Sequence, residues 1–136
     1  MVPIPTPEKI QVLVVICYHT GDLIYGCLKS VEQSFDVGLK IRKVIVSSNK
    51  VFEDVITHIS QDGPALKRNL GVRYFGEGYP YIVFLDDDVE ISPYCIWYLV
   101  DEMEKRPKAG MGFCKIMNME RRDEFDDAGS WVTPSG

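Results

Sequence analysis

No C-x-x-C pair occurs among the four cysteines, Cys17, Cys27, Cys95 and Cys114, which are widely spaced, and this argues against a zinc site or a disulfide. Cys17, Cys27 and Cys95 fall on apolar positions of expected elements, so free buried thiols in a reducing compartment are the expectation. Positive charge is also scarce: 15 Lys and Arg stand against 20 Asp and Glu, for a net charge of -5. A nucleic-acid groove, which needs clustered cations, is therefore not expected. No apolar run approaches the roughly 20 residues of a membrane-spanning helix. The longest early one, Val12 to Cys17, follows Glu8 and Lys9 and is too short for a signal core. A cytoplasmic location is expected, with the inner membrane surface as the alternative if an acceptor or further segments hold the protein there. The sequence has no internal repeat, no low-complexity tract and no Gly-rich phosphate loop on its opening strand.

What is present fits one soluble globular domain. The chain has 136 residues, 46% hydrophobic and 26% charged, and a domain of this size buries roughly two-thirds of its unfolded surface. The central feature is Tyr81 to Leu85, five large apolar residues that run directly into Asp86, Asp87 and Asp88. An unbroken apolar run of this kind suits a parallel strand covered on both faces. Three adjacent carboxylates at its end repel one another unless something positive is near.

Met1 to Pro7 holds three prolines, so residues 1–10 read as an extended arm and residues 11–136 as the folded domain. Val12 to Ile16 is a second candidate for a central strand, ending at Cys17-Tyr18-His19-Thr20-Gly21. Leu23, Cys27, Val31 and Phe35 then recur at helical spacing, with Thr20 or Asp22 as cap. Val44 to Val46 is the next strand. The segment from Phe52 to Ile59 reads as a short helical turn followed by an edge strand. Gly63-Pro64 opens a helix through Leu70, and Ser92-Pro93 opens another that Pro107 stops. Gly110 to Ile116 reads as a last strand, and residues 117–136 as a charged surface loop.

This alternation predicts an α/β fold: a Rossmann-like, doubly wound, mainly parallel sheet ordered 3-2-1-4, with the last strand beyond or beside the fourth. Ligands sit at the carboxyl edge of such sheets. His19, Ser48, Asn49 and Asp86 to Asp88 would all face that crevice. Hard cations such as Mn2+ or Mg2+ take oxygen ligands, often one or two carboxylates completed by substrate phosphates. The acidic cluster with Lys67 or Arg68 therefore points to a metal and a phosphate-bearing ligand.

These residues also carry a resemblance. Val14-Val15-Ile16-Cys17-Tyr18-His19 resembles the opening strand and Pro-Thr-Tyr-Asn turn of family 2 glycosyltransferases with the GT-A fold. Cys27-Leu28-Lys29-Ser30-Val31-Glu32-Gln33-Ser34 resembles the helix that follows it. Gly63 to Gly71 resembles the segment with Ala-Arg-Asn-x-Gly, Phe84-Leu85-Asp86-Asp87-Asp88 the Phe-Leu-Asp-x-Asp motif, and Asp127-Ala128-Gly129 a later Asp-x-Gly turn. Their order and spacing cover nearly the whole chain.

The resemblance implies transfer of a sugar from a nucleoside diphosphate sugar to an acceptor hydroxyl, with inversion. It implies the nucleotide-binding half of the fold, continued past Gly136 by sequence carrying the acceptor site. Asp88 would hold Mn2+ or Mg2+, with Asp86 near the ribose or a metal-bound water. Cys17 and Tyr18 would border the nucleotide, Arg68 would approach the diphosphate, and Asp87 would point elsewhere. Asp126 and Asp127 are the late carboxylates available as catalytic base. Ile16 replaces the family's proline, His19 its asparagine and Ser48 a base-contacting aspartate, so uracil recognition is not implied.

Several other readings are weaker. A haloacid dehalogenase-type phosphatase would carry Thr or Val where Glu90 stands and would place its motif on the first strand. A nucleotidyltransferase lacks its phosphate loop, and an EF-hand lacks its glycine. A binding module that holds metal and nucleotide sugar without turnover is the rival from another class. For His58 a structural role is expected. Trp97 and Tyr98 are packing candidates, and Trp131 either anchors the tail or lines an acceptor site.

Overall fold

The computed structural model describes residues 7–61 and 63–128. Trp131, the glycine of the Asp127-Ala128-Gly129 turn and most of the N-terminal arm lie outside the described residues. The chain forms two compact units, Met1–Trp97 and Tyr98–Gly136.

The first unit is built on β1 (Ile10–Tyr18), β2 (Leu39–Ser47), β3 (Ile56–Ile59) and β4 (Tyr81–Asp86), with α1 (Leu23–Glu32) and α2 (Pro64–Phe75) between them. All pairings are parallel and the order is β3-β2-β1-β4, as the sequence predicts. The chain moves outward from β1 to β3 and then returns to the other side of β1. With right-handed crossovers, that reversal puts α1 and α2 on opposite faces. Leu13, Val15, Val44 and Val46 form a fully buried cluster, against which Phe75, Tyr79 and Ile82 pack.

The close fit of α2 to this face depends on one glycine. A Cβ added to Gly71 would lie 2.4 Å from Val15 Cγ1. No side chain larger than hydrogen fits without displacing helix or strand.

Four local expectations are corrected. β4 is not covered on both faces: it pairs only with β1 among the described residues, and Phe84 is 43% exposed. Apolar length alone does not separate a central strand from an edge strand. In α1 the buried residues are Ile24, Cys27 and Val31, whereas Leu23 is exposed and Phe35 lies past the helix against Tyr94 and Trp97. Asp22 is the N-cap residue but makes no side-chain capping bond. The expected helical turn before β3 is a reverse turn with Asp54 at φ 59°, in which Thr57 Oγ1 accepts from the Phe52 N–H at 3.1 Å.

The fourth correction concerns the C-terminal part. The helix α3 (Cys95–Lys105) forms, starting two residues after Pro93. Gly110 to Lys115 is not a strand. Instead, the two-residue β5 (Ile116–Met117) pairs antiparallel with β6 (Phe125–Asp127) in a separate sheet. The polar link between them is drawn into a turn by Asn118, whose Oδ1 accepts from the Glu120 and Arg121 N–H groups. Among the described residues, no helix is long and apolar enough to cross a membrane.

Candidate functional site

Because β1 to β4 are parallel, their carboxyl ends share one edge. The register sets Cys17 beside Asp86 and Tyr18 beside Ser47. Strand order reverses between β1 and β4, and open α/β sheets bind ligands in the crevice at that point. Cys17, Tyr18, His19 and the three aspartates are therefore brought together from distant parts of the chain.

The aspartates have three different surroundings. Asp86 Oδ1 accepts from Arg68 Nη2 at 2.7 Å, both groups being partly exposed. Asp87 Oδ2 accepts from the backbone N–H of His19 at 2.7 Å. Asp88 is exposed and makes no hydrogen bond or ion pair among the described residues. The turn closes with the Val89 N–H donating to Asp86 O at 3.4 Å.

The turn is also anchored to α1. The Cys27 thiol donates to Asp86 O at 3.7 Å, and Ser30 Oγ accepts from the Ile91 N–H at 3.1 Å. Gly26 gives Glu90 its space, since a Cβ there would meet Glu90 Oε1 at 2.6 Å.

The adjacent cations of α2 differ. Arg68 reaches the acidic turn, where it pairs with Asp86. Lys67 does not lie on the solvated face of the helix: it is 3% exposed, and its ammonium donates to Tyr18 O at 2.9 Å. Side chains in a helix lean toward its N-terminus, which carries Lys67 over the end of β1.

On the other side of the edge, Ser47 Oγ accepts from the N–H groups of Asn49 and Lys50 at 3.3 and 3.0 Å. This turns the chain out of β2 and leaves Asn49 exposed and Ser48 half-buried. Ser48 O accepts from Gln61 Nε2. Sequence reasoning missed the group next to them: Tyr18 packs edge-on against Phe52 at 4.9 Å, and Lys50 donates to Tyr25 Oη at 2.7 Å. The Lys50 ammonium also lies 5.0 and 5.1 Å from the Tyr25 and Phe52 ring centres. The phenol bond raises the Lys50 pKa above its ordinary value.

His58 stacks on Tyr74 at 4.5 Å, away from the acidic turn along β3. Asp126 and Asp127 are exposed on β6 of the second unit. Among the described residues, no three His, Cys, Asp or Glu side chains form a metal cage.

Burial pushes the Cys17 thiol above its ordinary pKa, and Arg68 only partly offsets this. Cys27 is pushed up to about 12, first by burial and then by the carboxylates of Asp87, Asp88, Glu90 and Asp86. A thiol whose folded pKa is raised holds its proton longer than in the unfolded chain. Its contribution to stability is complete below pH 9.0 and is lost as pH rises toward about 12. At pH 9.5, iodoacetamide should label the exposed Cys114 and leave Cys27 unmodified, as mass spectrometry of the folded protein would read directly. None of the four cysteines is in a disulfide.

Residues 12–128 match the profile of Glycosyl transferase family 2. The chain belongs to glycosyltransferase family 2. The match runs from the buried part of β1 through β6, so it includes every residue of the site just described. Membership supports glycosyltransferase activity in general terms. No curated protein matches the chain.

Proposed function

We propose that the chain transfers a sugar from a nucleoside diphosphate sugar to an acceptor hydroxyl, with inversion, and uses Mn2+ or Mg2+ to do so. One observation carries this reading. At the edge where β1 and β4 diverge in connection, a guanidinium is held on Asp86 while the carboxylate of Asp88 has no partner among the described residues.

The donor set fits a hard cation. Asp86 and Asp88 offer carboxylate oxygens without enclosing an ion, and phosphate and water complete such a shell. Bound there, the ion would offset the charge that develops on the departing diphosphate. Arg68, already held by Asp86, presents its remaining donors to the diphosphate. The end of β1, at Cys17, Tyr18 and His19, borders the nucleotide, with Ser48 and Asn49 at the neighbouring strand end. Asp126 or Asp127 is the candidate base for the acceptor hydroxyl of a saccharide, lipid carrier or protein.

The test is a calorimetric titration of the full chain with UDP-sugars and GDP-sugars, with Mn2+ and again in EDTA, coupled to release of nucleoside diphosphate in the presence of acceptors. Metal-dependent binding with release supports the transferase. Tight binding without release or transfer would define a nucleotide-sugar-binding module instead. Absence of binding to either donor class would remove both readings.

A further inference from the structure

Two consecutive cations of α2 engage different partners: one a carboxylate of the turn that leaves β4, the other the backbone at the end of β1. Arg68 takes Asp86 directly at 2.7 Å. Lys67 has no carboxylate within ion-pair distance among the described residues. Its ammonium donates to the carbonyl oxygen of Tyr18 at 2.9 Å. The other end of that same peptide unit, the N–H of His19, donates to Asp87 Oδ2 at 2.7 Å.

The planar Tyr18–His19 peptide therefore stands between an ammonium and a carboxylate, with its oxygen toward the cation and its N–H toward the anion. Both bonds are charge-assisted, and each polarises the amide in the sense that strengthens the other. Burying an ammonium against a neutral carbonyl is costly, and the relay to Asp87 supplies negative charge at one remove.

The geometry points to Lys67 and Asp87 as positioning residues that, through the Tyr18–His19 peptide, fix the acidic turn so that Asp86 and Asp88 are offered to a divalent cation. The inference rests on the metal reading given above. Asp87 Oδ2 is fixed by the His19 N–H, so one of the three adjacent carboxylates is held in place and its charge is partly offset within the turn. Groups that orient a metal's ligands commonly change its affinity by about 10- to 100-fold although they do not touch it.

Titration of the full chain with Mn2+ in the absence of nucleotide, followed by the electron paramagnetic resonance signal of free Mn2+, tests this without turnover. Lys67→Met and Asp87→Asn should each weaken Mn2+ binding by about tenfold. The double variant should be no weaker than the weaker single one, because Lys67→Met removes one end of the chain of bonds and Asp87→Asn takes the charge from the other. The His19 amide proton resonance should move upfield in both.

Asp87→Asn should retain the melting temperature, since its amide oxygen can still accept from the His19 N–H, whereas Lys67→Met takes the ammonium donor from the buried Tyr18 carbonyl and should lower it. Loss of Mn2+ affinity at retained stability separates positioning from support of the fold. If Lys67→Met does not fold, Asp87→Asn decides alone. Native Mn2+ affinity in the folded variants overturns the inference. A native chain that binds no Mn2+ overturns the metal reading beneath it.

Discussion

Asp88→Asn should abolish sugar transfer while leaving the fold intact. The side chain is exposed and makes no hydrogen bond or ion pair among the described residues, so its loss removes nothing that holds β4 or its turn. Asparagine keeps the shape but not the charge, and a hard cation at the turn would be left with one carboxylate, already shared with Arg68. Losing charge stabilisation at a departing group costs about 10²- to 10³-fold in rate when a single donor is removed, and loss of a cation should cost at least that. The measurement is nucleoside diphosphate release at saturating donor and Mn2+, with thermal melting as the control for folding. Native turnover in Asp88→Asn would exclude this carboxylate from the metal site.

The second large effect concerns stability. Gly71→Val should destabilise the protein by about 3 kcal/mol or more. Added methylene groups in a packed core cost about 1–3 kcal/mol when the surroundings can shift. Here the contact is a 2.4 Å approach to Val15 Cγ1, and Val15 is fully buried in a strand paired on both sides. The better helix propensity of a residue other than glycine returns less than about 1 kcal/mol. Against a total of about 5–15 kcal/mol, the urea midpoint should fall by roughly 1–2 M. Gly63→Ala is the matching control, because a Cβ there meets nothing within 4 Å. Equal midpoints for the native chain and Gly71→Val would show that α2 does not bear on Val15 as described.

The strand order was legible in the sequence because Val12 to Ile16 and Val44 to Val46 are unbroken apolar runs rich in β-branched residues, a pattern typical of interior parallel strands. The same rule misjudged β4. Tyr81 to Leu85 is as apolar as β1, yet one flank carries no strand among the described residues, and composition does not record which neighbours a strand has. β5 and β6 were missed because two- and three-residue strands have no period to detect.

The candidate site was legible where charge ended an apolar run, at Asp86 to Asp88. It was not legible where the partner was backbone. Nothing in the sequence around Lys67 distinguishes it from its neighbour Arg68, and only the three-dimensional path puts its ammonium on Tyr18 O. Likewise Tyr25 on α1 stands at no recognisable spacing from Lys50 and Phe52 in the loop after β2, and the path from β1 through α1 to β2 brings them together.

The stitching of the acidic turn to α1 has a thermodynamic consequence. Asp86 O is held by Cys27 and the Ile91 N–H by Ser30, so only the few residues between these anchors keep conformational freedom. A chain segment tethered at both ends to one rigid helix has little entropy left to lose when it is ordered. A ligand arriving at the turn thus meets a preorganised surface, and the free energy of its contacts goes into affinity rather than into arranging the turn.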